Sequence, residues 1–106
     1  MQILCYDDIT GDGAKHQLIT MLKIGGVAVD TTKSMPAKWF QATMQTAAGE
    51  TRIGSSAVSA TNGIPIGIIS TGQFAPTYSM TNETYFIEQL YVIIASGDVL
   101  SFARAV

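Results

Sequence analysis

The chain has 106 residues, which suits one domain over residues 1–106, because domains most often contain about 100–150 residues. One cysteine, Cys5, excludes an intrachain disulfide framework, and with one histidine, His16, it leaves too few ligands for a conventional zinc site. Six Lys and Arg residues against eight Asp and Glu give a net charge of −2, which excludes a broad basic surface for nucleic acid.

Short apolar runs separated by Gly, Asn, Asp and Pro dominate the chain, and Val, Ile, Thr and aromatic residues are frequent within them. This pattern is typical of β-strands. Turns are indicated at Gly25-Gly26 and Asn62-Gly63. In chain order the predicted strands are residues 2–6, 17–24, 27–29, 37–44, 51–53, 64–69, 73–80, 89–95 and 99–106.

The strand predicted at 37–44 alternates in character, with Phe40 and Met44 on one face and Trp39 and Gln41 on the other. Proline has no N–H to donate to a neighbouring strand, so Pro65 and the later Pro76 predict edge strands at 64–69 and 73–80.

The C-terminal part contains Ser96-Gly97-Asp98 between two strand-like runs, and a glycine accepts the positive φ of a tight hairpin turn. We therefore predict a C-terminal β-hairpin. Both faces of 89–95 are apolar, which indicates a strand covered on both sides. An amphipathic helix over 84–94 is the alternative, which β-branched and aromatic residues disfavour. The predicted fold class is all-β: a small antiparallel β-sandwich or a jelly-roll-like barrel.

The sequence gives little support for catalysis. Asp8-x-Thr10-x-Asp12-Gly13 resembles the start of a calcium loop, but the bidentate acid expected eleven residues after Asp8 falls on Ile19, so a polar turn is the better interpretation. Cys5 lies in an apolar strand and is expected to be a buried structural thiol rather than a nucleophile paired with His16. We expect no catalytic, metal or cofactor site and no enzymatic activity.

Only 13% of the residues are charged, against about 25% in a typical soluble domain. A surface with so few charges repels other copies weakly and loses its water at low cost, so we expect self-association. Residues 1–8 lack the basic and apolar regions of a secretory signal, and the apolar run at 90–95 is far shorter than the ~20 residues of a membrane span. We therefore expect neither export nor a membrane partner.

Several motifs follow one another between residues 37 and 102 in a way that resembles small virion structural proteins of tailed bacteriophages. They are Trp39-Phe40-Gln41, Arg52-Ile53-Gly54, Val58-Ser59-Ala60-Thr61-x-Gly63-Ile64-Pro65, Gln73-Phe74-x-Pro76 and Tyr91-Val92-x-Ile94-Ala95-Ser96-Gly97-Asp98-x-Leu100-Ser101. The resemblance implies a non-enzymatic β-sandwich made in the host cytoplasm and located in the virion. Its expected role is capsid decoration or cement, with the major capsid protein and other copies of itself, as a trimer, for partners.

Two alternatives remain open. One is a tail, connector or fibre-base component of the virion. The other is a carbohydrate- or receptor-binding β module that uses the aromatic faces of Trp39, Tyr78, Tyr85 and Tyr91. For the self-assembly or shell interface, aromatic enrichment at contacts and the predicted proline-marked edge favour a set of five residues. They are Trp39, Phe74, Pro76, Tyr78 and Tyr91.

Overall fold

The computed structural model describes residues 2–46, 48–66, 77–80 and 84–106, the segment 77–80 by its backbone alone. Short strands follow one another along this part of the chain, and two single-turn 3-10 helices cover Leu18–Met21 and Ile87–Gln89. The strands are β1 (Ile3–Cys5), β2 (Ile9–Thr10), β3 (Lys15–Gln17), β4 (Lys23–Ile24), β5 (Val27–Ala28), β6 (Pro36–Ala37), β7 (Trp39–Thr46), β8 (Arg52–Gly54), β9 (Ile64–Pro65), β10 (Thr77–Met80), β11 (Tyr85–Phe86), β12 (Tyr91–Ile93) and β13 (Val99–Ala105).

The strands form two main sheets. The larger sheet has the order β1-β13-β7-β10, and β2 also pairs with β13. The smaller sheet has the order β3-β12-β8-β9, and two ribbons, β4–β5 and β6–β11, complete the described strands. Each of these pairings is antiparallel. The prediction of an all-β antiparallel sandwich is confirmed.

One hydrophobic core lies between the two sheets, and both sheets and both 3-10 helices contribute to it. The Phe40 ring lies 5.9 Å from the Phe102 ring on the neighbouring strand and meets the Tyr85 ring edge-on at 5.6 Å. Such aromatic contacts add to the stabilisation that burial alone provides. The large side chains with under 2% exposure are Phe40, Leu18, Ile19, Leu22, Met44, Ile53, Ile87, Ile94, Leu100 and Val92.

The alternation predicted for the strand at 37–44 is present in β7. Phe40 and Met44 are fully buried, whereas Trp39, Gln41 and Thr43 are half-buried on the opposite face. The same alternation places Leu100 and Phe102 of β13 in the core. The larger sheet therefore has an apolar inner face and a polar, partly exposed outer face.

The predicted C-terminal hairpin is wrong, although its turn is present. Gly97 has a φ of +82°, but β12 pairs with β3 and β8 in the smaller sheet while β13 pairs with β1, β2 and β7 in the larger one. A loop from the N-terminal part of the chain lies against the turn: the Gly11 N–H donates to the Asp98 carbonyl at 2.8 Å, and the Gly13 N–H to the Ile94 carbonyl at 2.9 Å. Residues 94–98 therefore form an arch that connects the two sheets.

The strand predicted at 17–24 is also corrected. β3 ends at Gln17, a 3-10 turn covers Leu18–Met21, and β4 begins at Lys23. The hydroxyl of Thr20 donates to the carbonyl of Gln17 at 2.7 Å. The turn allows two consecutive side chains, Leu18 and Ile19, to enter the core, which the alternation of a strand does not permit. In the region where a helix was the alternative, the described residues form β11, the 3-10 turn Ile87–Gln89 and β12.

The turn predicted at Gly25-Gly26 joins β4 to β5, and both glycines have positive φ, +59° and +82°. Asp7 holds this turn from outside. Its carboxylate accepts the Gly25 N–H at 3.0 Å and the Gly26 N–H at 2.7 Å. Charged acceptors make strong hydrogen bonds, so a residue just after β1 fixes the ribbon.

The two proline-marked edges fall at the ends of the sheets. Among the described strands, β9, with Pro65, pairs with β8 alone, and β10 pairs with β7 alone. The edge position of residues 64–65 is as predicted; residues 67–69 and Pro76 lie outside the described residues.

Candidate functional site

A shallow groove of about 310 Å³ lies on the outer face of the larger sheet. It crosses β7, β13 and β1, and its lining combines one indole, several uncharged polar groups, one thiol and one carboxylate. The lining residues are Cys5, Tyr6, Asp8, Trp39, Gln41, Thr43, Ser101, Phe102 and Ala103.

The register of the strands determines how these side chains are grouped. Gln41 is opposite Ala103, and Thr43 is opposite Ser101. On the other side of β13, Cys5 of β1 is also opposite Ala103. The small Ala103 therefore lies in the middle of the groove, where a larger side chain would fill it.

Trp39 marks one end of the groove, at the beginning of β7. Its register partner Ala105 is fully buried although it lies on the outer face, while Trp39 is half-buried. A partly exposed indole offers an apolar face and one N–H donor, the combination that is enriched at contact surfaces.

A chain of hydrogen bonds orders the other end of the groove. Gln45 donates from Nε2 to Ser101 Oγ at 2.7 Å, and that hydroxyl donates to Asp8 Oδ1 at 2.8 Å. Gln41 Nε2 donates to Thr43 Oγ1 at 3.1 Å. These bonds fix the orientation of the polar groups before any ligand arrives, which lowers the entropy cost of binding.

Cys5 is exposed, so its prediction as a buried structural thiol is wrong. Leu4 is half-buried and Tyr6 buried, so they take the inward positions on either side of it, and the alternation of the strand turns Cys5 outward. His16 lies in β3 of the smaller sheet and contacts Asp12 Oδ2 at 2.8 Å. Cys5 and His16 are therefore in different sheets and do not form a nucleophile–base pair.

The segment Asp8–Gly13, which resembles the start of a calcium loop and was interpreted as a polar turn, makes contacts within the protein. The Asp12 carboxylate accepts the Ala14 N–H at 2.9 Å and pairs with His16, and these two interactions hold the pKa of Asp12 below its ordinary value of 3.8. Asp8 is oriented by Ser101. Within residues 2–46, 48–66, 77–80 and 84–106, no group of three or more His, Cys, Asp or Glu side chains is placed to hold a metal ion.

A smaller cavity of about 160 Å³ lies over the smaller sheet and is lined by Glu50, Arg52, Ser59, Ala60 and Ile93. Arg52 forms an ion pair with Glu50 and donates to the carbonyl of Gly63 at 3.2 Å. The two terminal nitrogens of the guanidinium are thus paired with protein groups, whereas its buried Nε has no partner among the described residues. We do not assign this cavity a ligand.

The structure does not bring the five predicted interface residues together. Trp39 lies on the outer face of the larger sheet. Tyr91 lies on the outer face of the smaller sheet, because the next residue of β12, Val92, is buried and faces the core. Tyr78 is in β10, opposite Ala42 of β7 by register. Phe74 and Pro76 lie outside the described residues. The aromatic faces proposed for a carbohydrate site are also separate, since Tyr85 packs on Phe40 at the margin of the core.

The sequence does not indicate that the polar members of the groove form one site. Alternation in β7 does indicate that Gln41 and Thr43 share the face of Trp39, but no local pattern indicates that Asp8 and Ser101 meet, because they are 93 residues apart in the chain.

No helix among the described residues is long and apolar enough to span a membrane. No protein-family model, no curated protein and no solved structure matches this chain.

Proposed function

We propose that this chain is a structural component of a tailed-phage virion, a capsid decoration or cement protein that binds the head shell through the groove of the larger sheet. The observation that supports this most is the chemistry of the groove: Trp39 lies beside uncharged polar groups, and the one carboxylate, Asp8, already accepts a hydrogen bond from Ser101. The proposal also rests on the low share of charged residues and on the motifs between residues 37 and 102.

A surface of this kind suits a protein that must bind many equivalent sites. Uncharged polar groups cost less to desolvate than charges, and an indole contributes apolar area without repelling a neighbour. Binding to the assembled shell in preference to free subunits stabilises the shell by mass action. Each contact can be weak, because a lattice offers many contacts at once. The major capsid protein and further copies of the chain are the partners that this role requires.

Shell binding by purified protein tests the proposal. The chain is mixed with empty expanded shells assembled from the capsid protein of the same genome, and bound protein is measured after sedimentation of the shells. Trp39→Ala is expected to lower the affinity by at least about tenfold, since truncation of an aromatic hot-spot residue typically costs about 2 kcal/mol or more. Tyr91→Ala, a half-buried aromatic on the opposite sheet, is the matched control and should bind like the parent chain.

Binding that is absent for the parent chain, or that falls equally in both variants, contradicts the proposal. The number of copies per particle separates it from the tail or connector alternative, because hundreds of copies indicate the shell, whereas six or twelve indicate the tail or connector.

A carbohydrate-binding module is the second candidate, and the same groove supports it. An indole face with an amide and hydroxyls oriented beside it provides stacking and hydrogen bonding for a sugar ring. This function predicts saturable binding on a glycan array that Trp39→Ala removes and Tyr91→Ala retains. An array without a bound glycan for the folded parent chain rules it out.

A further inference from the structure

The β1 strand leaves an open edge on the larger sheet. The Tyr6 N–H donates to the Phe102 carbonyl at 3.1 Å, and the Val106 N–H donates to the Gln2 carbonyl at 3.0 Å. In an antiparallel ladder, the backbone N–H and C=O groups of successive residues point alternately toward and away from a given neighbouring strand. The backbone groups of Ile3 and Cys5 therefore point away from β13, and the described residues provide no strand there for them to pair with.

The open edge is short and has a defined end. The Asp7 N–H donates to the Lys23 carbonyl at 2.8 Å, so β4 occupies the edge beyond Tyr6. Between them, Ile3 and Cys5 present two N–H donors and two carbonyl acceptors. These four groups are arranged symmetrically about Leu4.

The open edge also lacks the features that usually protect a sheet edge. Proteins place charges, prolines or bulges on such edges to prevent pairing with other chains. Residues 2–6 contain no charge and no proline, and the pairing of β1 with β13 is regular. Ile3 is 60% exposed beside the exposed Cys5, so pairing here would also bury apolar surface.

We propose that two copies of this chain pair antiparallel through β1, about a two-fold axis at Leu4. This register places Ile3 opposite the partner's Cys5 and Cys5 opposite the partner's Ile3, so all four free groups of each edge form hydrogen bonds. Moving the axis to Cys5 would place Ile3 opposite the partner's Asp7, whose N–H already bonds to Lys23. A second copy fits this edge because the arrangement of donors and acceptors is self-complementary, as a two-fold contact requires.

The pairing joins two larger sheets into one continuous sheet, with order β10-β7-β13-β1 followed by the same strands of the partner in reverse. It places the two Trp39 grooves on the same side of that sheet. The inference does not depend on a virion role. Cys5 belongs to both the groove and the pairing edge, so the partner's Ile3 would lie beside the β1 side of the groove.

Disulfide cross-linking tests both the contact and its register. In Ile3→Cys, the new thiol faces the partner's Cys5 at a Cα separation of about 5.5 Å, inside the range that a disulfide spans. With oxidised glutathione as the oxidant, two thiols are converted to one disulfide and glutathione is reduced. We expect a disulfide-linked dimer on a non-reducing gel, at least about tenfold more abundant than in the parent chain.

Three controls are matched to this variant. In the parent chain and in Ile3→Cys/Cys5→Ser, the register leaves equivalent cysteines about 8–9 Å apart, too far for a disulfide, so little dimer is expected. Ile24→Cys provides an equally new thiol at a 49% exposed position in β4, outside the proposed β1 contact, and should also give little dimer. A second measurement, sedimentation velocity, needs no cysteine. Ile3→Lys/Cys5→Lys places like charges opposite each other across the contact, so we expect this variant to be monomeric. Ile24→Lys/Val27→Lys adds the same charges elsewhere and should still form the dimer.

A dimer yield for Ile3→Cys no higher than for Ile24→Cys overturns the proposed contact. Equal yields for Ile3→Cys and Ile3→Cys/Cys5→Ser overturn the register. A dimer that persists in Ile3→Lys/Cys5→Lys shows that another surface holds the two copies together.

Discussion

At the scale of single residues, Asp98 has a structural role that its position in a turn sequence does not indicate. It follows Gly97 in a turn, where an aspartate is ordinarily a solvated turn residue. In the structure it is 2% exposed, and its carboxylate accepts the Ala48 N–H at 3.0 Å and the Gly49 N–H at 2.9 Å. A buried carboxylate with both oxygens bonded fixes the arch between the sheets against the loop that follows β7.

Asp98→Asn should therefore destabilise the fold although it is nearly isosteric. The amide nitrogen would face one of the two backbone N–H donors, so one partly buried donor would lose its acceptor beside the buried side chain, at a cost of about 1–3 kcal/mol. The measurement is the free energy of unfolding in urea at neutral pH. Lys38→Gln, at an exposed position, is the control and should change it by less than about 0.5 kcal/mol. Equal values for the two variants would contradict the role given to Asp98.

Two exposed aspartates have lowered pKa values, and these determine the direction in which the stability of the fold changes at acid pH. The pKa of Asp12 is lowered by the Ala14 N–H and by His16, and the pKa of Asp30 is lowered by the hydroxyl and the N–H of Thr32. A carboxyl whose folded-state pKa is depressed stabilises the fold above its unfolded pKa and loses that contribution as the pH falls through the folded-state pKa.

The expected result is that both carboxyls titrate in the folded protein with midpoints below the ordinary 3.8. Carbon-detected NMR of the side-chain carboxyls across acid pH measures this directly. Ala14→Pro, which removes the backbone donor to Asp12, should move the Asp12 midpoint upward and leave that of Asp30 in place. A midpoint for Asp12 at or above 3.8 in the parent chain would contradict the assignment.

The residue scale also shows what local sequence can and cannot predict. The assignment of Phe40 and Trp39 to opposite faces needs alternation alone, and the structure places them so. The burial of Cys5 was predicted from its apolar neighbours, but its exposure depends on which side of an edge strand faces the core. That information comes from the pairing of β1 with the last strand of the chain, which lies about a hundred residues away.

At the scale of elements, turns were predicted more accurately than strand partners. The turns at Gly25-Gly26 and at Gly97 are present, because a positive φ is a local demand that glycine meets. The pairing of the two strands that flank a turn depends on contacts with other parts of the chain. At the arch, the backbone of Gly11 and Gly13 bonds to Asp98 and Ile94, which separates the two flanking strands.

Gly11→Ala tests that close approach. A Cβ at this position would lie 2.4 Å from Ile94 Cγ2 and 2.5 Å from the carbonyl oxygens of Ile94 and Ala95. Two of these neighbours are backbone atoms, so the arch itself must move, and we expect a loss of about 2–4 kcal/mol in the free energy of unfolding.

Gly26→Ala is the informative comparison for that variant. Nothing lies within 4 Å of a Cβ there, and the cost comes from the φ of +82° alone, about 1–2 kcal/mol. A smaller loss for Gly11→Ala than for Gly26→Ala would show that the arch accommodates a side chain.

At the scale of the whole molecule, the composition and the Gly, Asn, Asp and Pro residues between short apolar runs were sufficient to predict an all-β sandwich but not its topology. The sandwich follows from many short strands with one apolar face each. The topology depends on contacts between residues far apart in the chain, such as Ser101 with Asp8 and Val106 with Gln2. The groove was unpredictable for the same reason, since its lining comes from three strands that are distant in sequence.

A circular permutant tests the topology directly. The Val106 N–H bonds to the Gln2 carbonyl, so a short linker can join the two ends without distortion. Opening the chain between Gly25 and Gly26, in an exposed turn, should preserve cooperative unfolding and the near-ultraviolet circular dichroism spectrum. Opening it between Ser96 and Gly97 instead breaks the arch that Asp98 holds, and this permutant should not fold cooperatively. Identical behaviour of the two permutants would contradict the importance given to the arch.

The position of β13 has a consequence for the synthesis of the protein. This strand lies inside the larger sheet and pairs with β1, β2 and β7, yet it is the last strand in the described chain. A nascent chain on the ribosome therefore carries β1 and β7 with no strand between them until residues 99–105 have left the exit tunnel. Folding of the larger sheet therefore waits until residues 99–105 have emerged, and before then the apolar faces of β1 and β7 lack the strand that joins them, which leaves them open to aggregation.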